Sequence, residues 1–248
     1  MKQLTIILFV LSVFQIQAQV GLSMSYINQN ADQWEELAIE QYGNSAENNF
    51  LNSGYELGVD YWWRIEKFRI EFFPTLSYAL LTTKLDNPLV NDLGLIREGK
   101  YNQSNIGLHL KTNIYPLDFG GDCDCPTWKK DGNVIKKGWF IQLIGGAKSM
   151  ITKYKFNDYS SSDQSILFEA GLGTGLDIGV SEFLTVTPYI NYIHTFNAEW
   201  LQLDELPTNA NGFPFTDEFN SNVTDMNRLV FGVRLGFRFD ELNKYGFR

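Results

Sequence analysis

Leu229, Phe231, Val233, Leu235, Phe237 and Phe239 are large hydrophobes at every second position, and Val230, Gly232, Arg234, Gly236 and Arg238 fill the gaps. A period of two places all six hydrophobes on one face of a β-strand. Seven further stretches alternate in this way, at residues 20–27, 54–64, 68–84, 105–115, 139–153, 165–180 and 183–200. Most exceed the roughly 9–11 residues that a tilted strand needs to cross a bilayer. Eight is also the smallest common number of strands in a bacterial outer-membrane barrel.

The N-terminus supports export. Lys2 supplies a positive start, residues 4–14 are almost continuously apolar, and Ile16-Gln17-Ala18 reads as a cleavage site. That apolar run falls short of the ~20 residues of a membrane-spanning helix. We therefore expect a signal peptide at residues 1–18, a single barrel domain at residues 19–248, and a final location in the outer membrane. An exported membrane chain without long apolar helices must satisfy its backbone hydrogen bonds in a closed barrel. The connections agree: residues 65–67 and 181–182 are short, whereas 28–50, 85–100 and 201–225 are long. Short periplasmic turns and long extracellular loops are the outer-membrane habit. The connection at 116–138 departs from that rule, being long where a turn is expected.

A soluble barrel would alternate too, but with its hydrophobes inside. On the sixth stretch the polar face reads Glu169, Gly171, Gly173, Gly175, Asp177 and Gly179. Four glycines make a poor solvent face but suit a crowded lumen. The opposite face, with Phe168, Leu172, Leu176, Ile178 and Val180, suits lipid. Tyr61, Trp62, Trp63, Tyr115, Trp139 and Trp200 stand at strand ends and are expected to form headgroup-level girdles. The fold expected is all-β: an eight-stranded antiparallel transmembrane β-barrel with short periplasmic turns and long extracellular loops.

The same parity assigns an interior charge network: Glu56, Asp60, Arg64, Arg69, Glu71, Lys111, Glu169, Asp177, Arg228, Arg234 and Arg238, with His109 and Lys148 beside them. An eight-stranded barrel is just wide enough for its own side chains, and an unpaired buried charge costs several kcal/mol. A structural salt-bridge core is expected over a small gated ion path. Glu56, Asp60, Glu71, Arg64 and Arg69, on neighbouring strands, suffice to neutralise one another.

Acidic residues concentrate at the outer mouth. Asp32, Glu35, Glu36, Glu40 and Glu47 lie in one long loop, and Asp204, Glu205, Asp217, Glu218 and Asp225 in another, with no Lys or Arg in either. Subtracting these ten from 29 acids leaves 19, against 19 bases once Lys2 departs with the signal. Closure of the barrel sets the two loops side by side. Asp32 and Glu35 resemble a helix start, and Trp34, Leu37 and Ile39 would give that helix an apolar side. Such a rim would concentrate divalent cations. The readings are a solvated surface bridged by divalents to lipopolysaccharide, or a specific ligand site; the expected partners include outer-membrane lipid itself.

Enzymatic signatures are missing. His109 and His194 lack the His-x-Ser arrangement of a lipid deacylase and the Asp-x-His of an outer-membrane protease. No cofactor is expected, and an acidic exported chain is a poor partner for nucleic acid. His194 reads as an interfacial side chain. Asp122-Cys123-Asp124-Cys125 is the most distinctive local sequence. Its two thiols and two carboxylates form a weak metal candidate, since a closed zinc site normally takes four ligands. A strained or intermolecular disulfide is the rival, and the segment from Asp118 to Gly138 is where a periplasmic protein partner is expected.

Given the signal, the strand spacing, the run from Leu229 to Phe239 and the Tyr115-Pro116-Leu117 turn, the chain resembles Bacteroidota outer-membrane β-barrels of the porin-family or PorT-like kind. Its architecture is similar to that of the small OmpX and OmpA barrels. The resemblance covers the mature chain and implies an architecture more than a role. Phe239, the aromatic that would serve as the insertion signal, departs from the usual pattern because nine residues follow it. A non-enzymatic barrel acting through its acidic loops, in surface adhesion or envelope integrity, is expected. The alternative is a narrow cation-preferring porin or a PorT-like accessory of protein secretion.

Overall fold

The computed structural model describes residues 19–42, 50–65, 69–86, 98–118, 138–156, 159–181, 183–200 and 223–238. The expected signal peptide at 1–18 lies outside the described residues.

The strands are β1 (Gln19–Asn30), β2 (Ser53–Ile65), β3 (Ile70–Asp86), β4 (Glu98–Ile114), β5 (Trp139–Phe156), β6 (Tyr159–Leu176), β7 (Ile178–Gly179), β8 (Leu184–Glu199) and β9 (Val223–Arg238). β6 and β7 form a single stave, interrupted at Asp177, and both pair with β8. Sequence neighbours pair antiparallel all the way round, and β9 returns to β1 over the register Gln19–Arg238 to Asn30–Asn227. The result is a closed eight-stranded antiparallel transmembrane β-barrel. Closure leaves no sheet edge, which a backbone within hydrocarbon requires.

Alternation along each strand decides which side chains face where. Leu172 and Phe231 are 60% and 45% exposed, whereas Glu169 is 3% exposed. Leu22, Met24, Leu57, Val59, Leu76, Leu108 and Val233 also face outward. Such a continuous apolar belt far exceeds the patches that water-soluble monomers display, and it is the lipid-facing wall. The buried polar set, from Ser23 and Ser25 through Asn105, Gln142 and Asn191, lines the lumen.

Strand lengths differ from the apolar alternation at their outer ends. β4 begins at Glu98, not residue 105; β5 reaches Phe156 and β6 begins at Tyr159, so the connection expected at 154–164 is mostly strand. β9 begins at Val223, not 228. At these ends the outward face turns polar, as at Lys100, Asn102, Lys153, Lys155, Ser160 and Ser162, so the apolar run on that face stops while cross-strand pairing continues. The tallest staves are β3 to β6, with 17 or 18 residues each.

After β1, helix α1 (Asp32–Tyr42) folds back over the mouth. Its start is fixed by the Glu35 amide donating to the Ala31 carbonyl at 2.9 Å. Acids in the first turn, Asp32 and Glu35, suit the positive end of the helix dipole. Trp34 and Ala38, one turn apart, are buried, and Ile39 is partly buried. The apolar side runs through Trp34, Ala38 and Ile39; the side chain of Leu37 is not among those described. The helix seats Trp34 in a cluster with Phe50, Leu51, Leu81, Tyr101, Tyr154 and Trp200.

Candidate functional site

The lumen is built in layers. At its middle, Glu169 on β6 is a hub. Its Oε1 accepts hydrogen bonds from Arg228 Nη2 and Thr195 Oγ1, both at 2.6 Å, and Lys148 Nζ lies 2.9 Å away. Its Oε2 accepts from Arg228 Nη2 at 2.7 Å and sits 2.7 Å from His109 Nε2. Lys148 also donates to Thr195 Oγ1 at 3.1 Å, and Arg228 Nη1 is 3.9 Å from Glu56. Two carboxylates, Glu169 and Glu56, meet two cations, Lys148 and Arg228, and the His109 ring completes the group. Its members come from β2, β4, β5, β6, β8 and β9, so the network ties opposite walls together.

Toward the periplasmic end a second polar layer forms. Arg234 on β9 grips Asp60 on β2 bidentately, through Nε at 2.8 Å and Nη2 at 2.6 Å. β1 runs between those strands, and the pair crosses it at Gly21. A Cβ there would stand 2.5 Å from both Arg234 and Asp60, so only glycine leaves the passage open. The guanidinium also lies 4.8 Å from the Phe73 ring. The Tyr115 hydroxyl hydrogen-bonds with Glu71 at 2.8 Å and with Asp177 at 2.5 Å, and Thr187 donates to Asp177. Arg69 lies 4.5 Å over the Tyr115 ring, and Lys111 lies 5.7 Å from the Tyr189 ring. Asp60, Lys111, Gln142, Asp177 and Arg234 line a cavity of about 20 Å³, room for one water.

An apolar layer separates the two. Along β5 Ile144 lies between Lys148 and Phe140; along β8 Ile193 lies between Thr195 and Thr187; along β9 Val230 lies between Arg228 and Arg234. These three cluster with Ile27 and Ala79. Above Glu169, Gln29 donates to Gln103 at 3.1 Å and Gln103 to Asn105 at 3.2 Å. Over that chain sits the aromatic plug. Trp34 and Trp200 meet edge to face at 5.6 Å, as do Phe50 and Tyr101 at 4.9 Å, while the Tyr101 and Tyr154 rings lie tilted at 4.7 Å.

Glu56, Asp60, Glu71, Glu169, Asp177 and Arg228 are buried in the lumen, and Arg69, Lys111 and Arg234 are half-buried there. Arg64 and Arg238 lie on strands, but their side chains are outside the described set. Glu56 faces Arg228 and Asp60 pairs with Arg234, so both acids of β2 find partners on β9. Closure brings that strand within reach. The girdle expectation is corrected. Trp62, Tyr115 and Trp200 are buried inside, while Trp63 remains 45% exposed outside. Trp62 shares the inward parity of Asp60, and parity outranks nearness to a strand end. Thr195, Thr187 and Gly21 were not anticipated, although the inward parity of β8 carries the two threonines.

At the rim Asp32 and Glu36 are exposed and Glu35 half-buried. Asp225 belongs to β9 rather than to the loop; it accepts the Asn197 amide at 2.9 Å across a bulge and lies 3.8 Å from His194. His194 packs on Phe196 at 4.6 Å, on the outer wall as expected. The side chain of Glu40 is not described. Glu47, Asp204, Glu205, Asp217 and Glu218 lie outside the described residues, as do Asp122, Cys123, Asp124 and Cys125 and most of the Asp118 to Gly138 segment.

No family model matches the chain, and no curated protein matches it. Among solved structures it is similar to Neisserial surface protein A, with 10% identity over 90% of this chain and 97% of that one and a TM-score of 0.42. It is similar to Ail, the attachment invasion locus protein of Yersinia pestis, with 8% identity over 90% and 100% and a TM-score of 0.40. For a major outer membrane protein from Thermus thermophilus the values are 11%, 88%, 99% and 0.46.

Proposed function

We propose that this chain is a non-enzymatic, non-conducting outer-membrane barrel that acts through its outer face, in surface binding or envelope integrity. The observation that carries this reading is the filled lumen. An ion moving along the axis would have to part the Trp34–Trp200 plug, the Glu169 hub, the Ile144, Ile193 and Val230 layer and the Asp60–Arg234 pair in turn. Each is a close contact, and breaking either buried ion pair alone costs about 3–5 kcal/mol. A narrow cation-preferring pore is the less favoured alternative. The same packing argues against catalysis at the Glu169–His109 pair, both members of which are buried in the lumen.

The acidic outer loops, with Asp32 and Glu36 exposed, remain the proposed binding surface. Kinship with the Bacteroidota porin-family or PorT-like barrels is proposed on the N-terminal signal pattern and the alternation of β9. Planar-bilayer recording tests the closed lumen: the reconstituted protein should give no discrete openings. Stable unitary conductance steps would overturn it.

A further inference from the structure

One stretch of the outer wall is unlike the rest. On the tall staves the outward-facing residues line up in rows across strands. Lys84, Lys100, Lys155 and Ser160 stand directly opposite one another on β3, β4, β5 and β6. The next row toward the bilayer is Thr82, Asn102, Lys153 and Ser162, followed by Leu80, Ser104, Ile151 and Gln164, then Tyr78, Ile106, Ser149 and Ile166. All four lysines are exposed. Directly opposite residues on one face have Cβ atoms about 4.5–5.5 Å apart, where like charges repel. Lys84 has an interaction of its own, and Asp86 and Glu98 pair at the next position toward the tip. Lys100, Lys153 and Lys155 form a triangle with Ser160 and Ser162 at its edge.

Height identifies the occupant. Leu80, 46% exposed, tops the apolar belt on β3. In the same row on β5 the last outward apolar residue is Ile151, and Lys153 and Lys155 lie two and four residues further, about 7 and 13 Å along the strand and about 5 and 10 Å in height at a tilt near 40°. The lysines thus stand at the level of outer-leaflet headgroups, on the outward face of β4 and β5. Lipid and not bulk solvent is the neighbour there.

We propose that Lys100, Lys153 and Lys155, with Ser160 and Ser162, bind a phosphate of a phosphorylated outer-leaflet glycolipid. The ammonium groups supply charge, and the hydroxyls donate to phosphate or sugar oxygens. The site rests on the membrane placement proposed above, and it is separate from the acidic loops.

The test reconstitutes the protein in phosphatidylcholine nanodiscs containing a small fraction of diphosphorylated lipid A. Bound lipid A is counted by mass spectrometry after detergent extraction, and insertion is scored separately by protease protection. Wild-type protein should retain lipid A well above its share in the disc, and 1 M salt should strip it, because these contacts are screened. The triple variant K100Q/K153Q/K155Q should insert normally and lose retention on the order of a hundredfold; the triple Arg variant should keep it. Retention unchanged in the Gln variant would overturn the site. So would inserted wild-type protein holding no excess lipid A, which leaves the membrane placement standing. Equal binding of soluble inositol hexakisphosphate through the same lysines would overturn it in favour of a soluble anion. Failure to insert would overturn the membrane placement and the site together.

Discussion

Replacing Glu169 with Gln isolates what the lumen hub contributes. The substitution keeps the shape and removes one charge. Arg228 at 2.6 Å and Lys148 at 2.9 Å then share only Glu56, which stands 3.9 Å from Arg228. One buried cation is left uncompensated. Removing one partner of a buried pair costs about 3–5 kcal/mol. The amide nitrogen, facing donors from Thr195, Lys148 and Arg228, regains little of that. The cost should fall if the excess charge is removed as well. In E169Q/K148M the remaining charges, Arg228 and Glu56, balance, so the double variant should be more stable than E169Q by about 2 kcal/mol. Independent sites would instead make the double variant worse than E169Q by the cost of K148M alone, to within ~0.5 kcal/mol. Reversible urea unfolding from lipid vesicles, followed by tryptophan fluorescence, measures both variants. E169Q within about 1 kcal/mol of wild type, or a double variant no better than the single one, would refute the claim that charge balance holds the hub together.

Trp34→Ala should cost about 3–5 kcal/mol in the same assay and open Trp200 to acrylamide quenching, because Trp200 loses its edge-to-face partner. Wild-type quenching in that variant would show that the plug stands without the helix. Gly171→Ala should cost about 1–3 kcal/mol, since its Cβ would meet the Tyr192 carbonyl at 2.6 Å. Gly145→Ala, where nothing lies within 4 Å, should stay within about 0.5 kcal/mol of wild type or stabilise; equal costs at both sites would contradict the inward and outward assignment. Gly21→Ala should break the Asp60–Arg234 crossing, and its penalty should shrink in a D60N/R234M background, as a double-mutant cycle would reveal.

Much of this architecture is legible in the sequence. The eight staves, the inward parity of Glu56, Asp60, Glu169 and Arg228, and the lumenal glycines of β6 all follow from the two-residue period. The outer ends of β4, β5, β6 and β9 do not, because their outward face turns polar and the apolar alternation is lost while the hydrogen bonds between strands continue. The aromatics mislead where position along a strand is weighed above parity: Trp62 stands three residues before the end of β2 and Tyr115 just after β4, yet both are buried inside. Helix α1 is legible at its start, from Asp32 and Glu35, yet its descent into the mouth depends on Tyr101, Tyr154 and Trp200, three distant segments that no local pattern joins.

From the chain alone came the sidedness of every strand, since side-chain alternation is a local property of extended backbone and needs no partner. The identity of each partner came from closure. Whether Asp60 answers Arg64 beside it or Arg234 from the far end of the chain depends on which strands the sheet joins, at what register, and on a glycine between them small enough to let the two meet.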